Sequence, residues 1–340
     1  MFRPRKRLLG TALIGFLVLI VIAACSATGG KRAAERAAAA EAGAAGAGHA
    51  NTPRYTIAMI THAEPGDTFW DIIRHGAIAA AAKDNITLKY SNDSDPTKQA
   101  ALVTDAINSH VDGLAVTDPS PGALCPTIRK AKQAGIPVVM FNAGYSNFQS
   151  CGAMEYFGQD EMIAGIAAGK RMAAAGAKHV LCVVQSQGQA QLEARCAGVK
   201  QGFGSAGSVS KLYVQGTDNS AVLSSMNAKL TQDKNIDAVI TLAAPVALIA
   251  IQAINQAHSS AKLYTFDTNA AEIAKIKSGA VQWAVDQQPY LQGYESIDSL
   301  WLYKTNANVL GGGRTVLTGP AFIDKTNIGT VARYAQRGTR

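Results

Sequence analysis

From residue 54 onward, short runs of apolar and β-branched residues alternate with stretches whose apolar positions recur every three or four residues. Runs at 55–60, 86–90, 113–117 and 137–141 read as strands, and 70–83, 96–109 and 122–134 as the helices between them. The strand runs lack polar alternation, so both of their faces must be covered, as in a parallel sheet with helices on each side. After a break at 144–152 the rhythm restarts. Asp160 is placed to cap a helix through 175. Strand 180–184, helix 190–202, strand 209–214, helix 219–232 and strand 238–242 follow, then helix 245–258, strand 262–266, helix 270–278 and strand 281–285. A long helix over 291–306 and a strand near 315–318 close the pattern. No internal sequence repeat is visible, so the fold class expected is α/β, with two doubly wound parallel-sheet lobes alike in architecture and unlike in sequence.

A chain of 340 residues, 48% of them hydrophobic and 16% charged, is long enough for two such lobes and too apolar to be mainly disordered. Its net charge of +8 sits at the ends. Residues 1–50 carry seven basic and two acidic side chains, and Arg333, Arg337 and Arg340 supply the rest, so the body is neutral and lacks a basic nucleic-acid footprint.

The first 24 residues read as an export signal: Arg3, Arg5, Lys6 and Arg7, then an apolar run over 8–24 that is short for a bilayer span of about 20 residues. The run ends in Ile22, Ala23 and Ala24 before Cys25, which resembles the lipobox of bacterial lipoproteins. Cleavage there would leave Cys25 to carry the acyl chains of a membrane anchor; the alternative is an uncleaved anchor helix. Both place the remainder outside the cytoplasm. The segment 25–51 reads as a tether, since 33–50 hold 11 Ala and 3 Gly with no apolar periodicity.

Apart from Cys25, four cysteines remain: Cys125, Cys151, Cys182 and Cys196. An even number suits two disulfides in an oxidising compartment. Of the three pairings, Cys125 with Cys151 and Cys182 with Cys196 each close a short loop inside one lobe; four buried thiols are the alternative. No metal site is expected, because no CxxC or His-spaced pattern occurs.

In open parallel sheets the ligand lies beyond the carboxyl ends of the strands. The loops there offer amides, single carboxylates, one arginine and aromatic rings. Such a lining suits a neutral polyhydroxylated ligand, with carboxylates and amides meeting hydroxyls and rings covering apolar C–H faces. Phe69 and Trp70 open a helix just after the first loop, where a core would take only one of them. Asp67 serves equally as a ligand contact or a helix cap. Arg195 lies early in a helix and opposes the helix dipole, so something other than helix stability should explain it, with a surface pair to Glu193 as the dull alternative. Asp267 ends an apolar strand and suits either a ligand or the next helix as a cap. The GxGxxG match at Gly202 follows a helix instead of a strand, SxxK at Ser208 lacks its partners, and HExxH and GxSxG are absent, so no catalytic residues are assigned.

Taken together, these loops resemble the ribose-binding-protein-like family of bacterial solute-binding proteins, periplasmic binding protein type I. The resemblance rests on the aromatic pair in 61–70, Ala134-Gly135-Ile136-Pro137 leading to Asn142, Gly158-Gln159-Asp160-Glu161, Arg195-Cys196-Ala197-Gly198, Phe266-Asp267, and Asp286-Gln287-Gln288-Pro289-Tyr290. It implies two lobes, 52–157 with 288–316 and 158–287 with 317–332, joined by a three-crossover hinge near 156–158, 283–287 and 317–321, and followed by a basic tail at 333–340. It also implies a monosaccharide or polyol held between the lobes and delivered by a monomer to an ABC permease, without cofactor or chemistry. Carried over by position, Phe69 and Trp70 stack on the ligand, and Asp67, Asn142, Arg195, Asp267 and Gln287 take its hydroxyls. Ribose binders have an Arg where this chain has Ala143 and an Asn where it has Ala243 and Ala244, so a ligand other than ribose is expected. The competing roles are a receptor of the same fold signalling to a membrane kinase or chemoreceptor, and a glycosidase using Asp67 and Asp267 as its carboxylate pair. On this reading Trp70→Ala and Arg195→Ala should weaken binding and leave the empty protein's stability almost unchanged.

Overall fold

The computed structural model describes residues 49–64 and 67–340, of which 52–340 form one unit. The export signal, Cys25 and most of the tether lie outside the described residues. Among the described residues no helix is long and apolar enough to cross a membrane.

The first sheet contains β1 (Tyr55–Thr61), β2 (Ile86–Asn92), β3 (Gly113–Val116), β4 (Val138–Phe141), β5 (Glu155–Gly158) and β11 (Thr315–Leu317), all parallel, in the order β11-β5-β4-β3-β1-β2. The second contains β6 (His179–Val184), β7 (Ser208–Tyr213), β8 (Ala238–Thr241), β9 (Lys262–Phe266), β10 (Trp283–Asp286) and β12 (Ala321–Asp324), in the order β12-β10-β9-β8-β6-β7 with only β12 antiparallel. The central strands β3, β4, β8 and β10 are buried at every position, which explains their uninterrupted apolar runs. The edge strands β2 and β7 alternate with polar residues because one of their faces meets water.

The helices are α1 (Phe69–Lys83), α2 (Pro96–Asn108), α3 (Pro121–Gln133) and the single turn α4 (Phe148–Cys151), then α5 (Glu161–Ala174), α6 (Ala190–Phe203), α7 (Asn219–Gln232), α8 (Ala244–Gln256), α9 (Ala270–Ser278), α10 (Pro289–Asn306) and α11 (Ile328–Gln336). Asp95, Asp160, Asp218 and Asn269 cap α2, α5, α7 and α9 by accepting amide hydrogens of the first turn. Helices cover both faces of each sheet, and four apolar clusters fill the layers between. Cys125 is bonded to Cys151 between α3 and α4, and Cys182 to Cys196 between β6 and α6, the pairing that the short loops favour.

The chain passes between the sheets three times: from β5 into α5, from β10 into α10, and from β11 to β12. Four elements were not foreseen. β5 opens on Glu155 and ends on Gly158, so it lacks an uninterrupted apolar run; β12 is a half-buried edge strand ending in Asp324; and α4 is one turn, too short to show periodicity. α11 runs into the segment read as a basic tail from Arg333 on, yet it buries Ile328, Val331 and Ala335 on one face. The residues expected as a basic tail are therefore folded, and Arg340 reaches back to pair with the buried Asp286 and to donate to Gln288 at 3.0 Å.

Candidate functional site

The carboxyl ends of β1, β4, β9 and β10 converge, as doubly wound sheets require, on the seam between the two lobes. There a cavity holds about 430 Å³ not filled by protein atoms, part of it open to solvent. Asp67, Phe69, Trp70, Asn142, Arg195, Asp267 and Gln287 all line it, although they span more than two hundred positions of sequence.

Three cavity or hinge residues near strand ends have left-handed backbones: Asn142 directly after β4 (φ 60°), Asp267 directly after β9 (φ 64°) and Gln288 one residue further beyond β10 (φ 54°). Asn and Asp tolerate this region better than most residues, and such strain concentrates where side chains must be aimed at a site. Asp267 is turned away from the next helix, whose cap is Asn269. Asp67 accepts from the Phe69 amide at 3.1 Å through Oδ1, while the residue preceding α1 is Thr68. It therefore both steadies the start of the helix and faces the cavity.

Arg195 has two-pronged contact with Glu161: Nε donates to Oε2 at 2.7 Å and Nη2 to Oε1 at 3.0 Å. Nη1 donates to the Leu242 carbonyl at 2.8 Å and lies 3.5 Å from Asp267 Oδ2, and the guanidinium sits 4.7 Å above the Phe266 ring. Glu193, the partner considered from sequence, instead bonds Lys211. The register of the Arg195–Glu161 pair comes from glycine. A Cβ on Gly165 would stand 2.3 Å from the Arg195 carbonyl oxygen, and one on Gly198 would stand 2.4 Å from that of Met162, so α5 and α6 touch backbone to backbone. One turn upstream, that contact brings Glu161 to Arg195.

A chain of amides runs on through the hinge. Gln287 donates to Asp267 Oδ1 at 2.7 Å and accepts at its own Oε1 from Gln292 at 2.9 Å and Asn142 at 3.3 Å. Gln292 also donates to Thr318 Oγ1 at 3.1 Å, and Gln159 to Glu161 Oε2 at 2.8 Å. Residues of all three crossovers thus belong to the network that aims the cavity's polar groups.

Burial pushes Asp267 up to about 7, against the opposing pull of Arg195 and the Gln287 amide. It pushes Asp67 up to about 6, against the Phe69 amide. Arg195 is raised, because its two carboxylates outweigh the burial that opposes its charge. His62 is held down at about 3 by burial and then by Arg195. In the sequence it stands only within the longer first loop, as a source of compensating contacts, because a lone histidine carries no signal; in the structure it lines the cavity and touches both lobes. Its Nδ1 lies 2.7 Å from Thr117 Oγ1, and the Gln191 amide donates to its Nε2 at 3.0 Å. Further contacts cross the seam: Ser186 donates to Glu64, and the Ala190 amide to the Pro119 carbonyl at 3.0 Å. Glu161 was seen only as part of a motif. An acid four residues before a glycine was the available clue.

Two expectations are corrected. Arg195 is 3% exposed and neutralises two buried carboxylates, so its removal cannot leave the empty protein unchanged. Trp70 is 6% exposed, packs edge-on against His62 and Phe69, and belongs to the core cluster around Ile57 and Ile73. Its loss should cost stability as well. Among the described residues no group of three or more His, Cys, Asp or Glu is placed to hold a metal ion.

Two α/β lobes closing on a polar, ring-flanked cavity define a two-lobed binding protein. The chain belongs to the periplasmic binding protein domain family, which matches residues 57–307. It is similar to the crystal structure of a carbohydrate transporter from Acidothermus cellulolyticus 11B in complex with myo-inositol, at 60% identity and a TM-score of 0.83, over 85% of this chain and all of that one. A periplasmic ribose ABC transporter from Conexibacter woesei, 23% identical with a TM-score of 0.71 over 87% of this chain and 100% of that one, shares the fold. The xylose/arabinose-binding protein XylF of Sulfolobus acidocaldarius is 26% identical over 254 residues, 70% of this chain. The matched part spans 63% of that relative's length.

Proposed function

We propose that this protein is an extracytoplasmic solute-binding lipoprotein of an ABC importer, held on the outer face of the cytoplasmic membrane through Cys25. In this reading it captures a neutral monosaccharide or cyclic polyol between its lobes and presents it to the permease in the closed form. The observation that carries the reading is the convergence of seven dispersed residues, from loops and helix starts of both lobes, on one cavity. The 60% identical carbohydrate transporter, which holds myo-inositol, makes that cyclitol the first ligand to test.

Each cavity group has a task in such a complex. Asp67 and Asp267 accept hydroxyl hydrogens, the Asn142 amide donates or accepts, and Phe69 and Trp70 supply flat apolar surface for the C–H faces of the ring. Ligand contacts made to both lobes at once favour the closed arrangement, because only there are all of them satisfied together. No bond in the ligand needs to be made or broken.

Isothermal titration of the mature protein against myo-inositol and a panel of pentoses, hexoses and alditols tests this. The expected result is one site of roughly micromolar affinity, about 8 kcal/mol. Silence across the whole panel would overturn the assignment. For the anchor, Cys25→Ala should move the protein from the membrane fraction to the soluble fraction.

A further inference from the structure

The cavity's charges are unbalanced. Glu64, Asp67 and Asp267 line it, with Arg195 as the single cation among the described residues, and Glu161 stands against that arginine. The guanidinium is compensated twice over, by the two-pronged contact with Glu161 and by Asp267 at 3.5 Å, and a further N–H is spent on the Leu242 carbonyl. His62 adds no positive charge, since burial and Arg195 keep it neutral at physiological pH. Among the described residues no cation forms an ion pair with Glu64 or Asp67. Asp67 uses Oδ1 for the Phe69 amide, and among the described residues nothing donates to its Oδ2.

A carboxylate oxygen in this position can only accept. The group a ligand points at it must therefore donate, and a positive donor makes a stronger hydrogen bond to a carboxylate than a neutral one. A primary ammonium replaces a hydroxyl on a polyol ring with nearly the same volume and offers three donors. A phosphate or carboxylate in the same place would face the acid excess with no unspent cation to meet it.

Resting on the reading that this cavity is the ligand site, we propose that it also takes ring polyols in which one hydroxyl is replaced by an ammonium group, aminocyclitols and amino sugars, with the ammonium against Asp67. It refuses the phosphorylated and carboxylated counterparts of the same rings.

The test is titration of the mature protein at pH 7.5 with three matched probes, myo-inositol, an amino-deoxy-inositol and myo-inositol 1-phosphate, repeated on Asp67→Asn. The amine should bind within about tenfold of the parent or more tightly, and the phosphate about a hundredfold or more weakly. Asp67→Asn should weaken the amine at least about tenfold more than it weakens the parent. If the parent binds and the amine is more than tenfold weaker, or the phosphate binds like the parent, the inference is wrong and the neutral-polyol reading stands. If Asp67→Asn weakens both alike, the placement against Asp67 is wrong. Binding of the amine with silence from the parent would keep the inference and remove the neutral-ligand reading; silence from all three removes both.

Discussion

Arg195 carries opposite consequences for binding and for stability. It lies on the cavity wall, within reach of a ligand, and among the described residues it is also the only counter-charge to two acids buried with it. Removing one partner of a buried pair leaves the other charged and desolvated, at a cost of about 3–5 kcal/mol. Urea denaturation of the ligand-free protein should therefore show Arg195→Ala destabilised by about that amount, while the double variant Arg195→Met/Glu161→Leu should recover a large part of it. An unchanged midpoint in the single variant would mean that the pair is not formed in solution. The sequence exposed this arginine because a cation early in a helix opposes the dipole. The identity of its partner was hidden, since Glu161 and Arg195 are 34 positions apart and are joined only by the packing of two helices.

That packing belongs to the scale of the element. Gly165 and Gly169 on α5 face Gly198 and Gly202 on α6, and a Cβ on any of the four would fall between 2.1 and 2.4 Å from a backbone oxygen of the other helix. Spaced four apart, the glycines stand on one face of each helix and let the axes approach. Gly198→Ala should separate the helices, cost about 1–3 kcal/mol and weaken ligand capture through the displaced arginine. Gly122→Ala is the control, because a Cβ there meets nothing within 4 Å, and it should leave binding unaltered and stability equal or slightly higher. If the two substitutions behave alike in thermal melts and titration, the close approach is not what positions Arg195. Most elements were legible from hydrophobic period alone, to within a few residues at their ends. Those missed lacked an uninterrupted apolar run, like β5, were a single turn, like α4, or, like α11, ran into a segment whose arginines drew the reading of a tail.

At the scale of the whole molecule, burial of acids makes stability depend on pH. Glu272 is pushed up to about 8, first by burial and then by the charge of Asp267, and neither of its carboxylate oxygens has a hydrogen-bond partner among the described residues. Asp267 is pushed up to about 7 and Asp118 to about 6, both first by burial. Each holds in the folded state a proton that the unfolded chain has already released, so its contribution is full below the unfolded value near 4 and is lost as pH rises through the folded value. His62 works in the other direction. Depressed to about 3, it contributes fully above about 6.5 and loses that contribution as pH falls. The acids outnumber it, so the urea midpoint of the empty protein should fall between pH 6 and pH 8, and Glu272→Gln should flatten that slope; a midpoint that rises over this interval would contradict the assignment.

The sequence by itself determined the alternation of strand and helix, and hence two doubly wound sheets, because burial on both faces writes an uninterrupted apolar run into each central strand. It also pointed to the loops that meet at the seam, because in such sheets the carboxyl ends of the strands face the same way. Only the tertiary structure decided which charges compensate one another, which amides tie the crossovers together, and that Trp70 and Arg195 support the fold as well as the cavity. Those are contacts between residues far apart in the chain, fixed by the distance at which packed helices and closed lobes come to rest, and no local pattern records that distance.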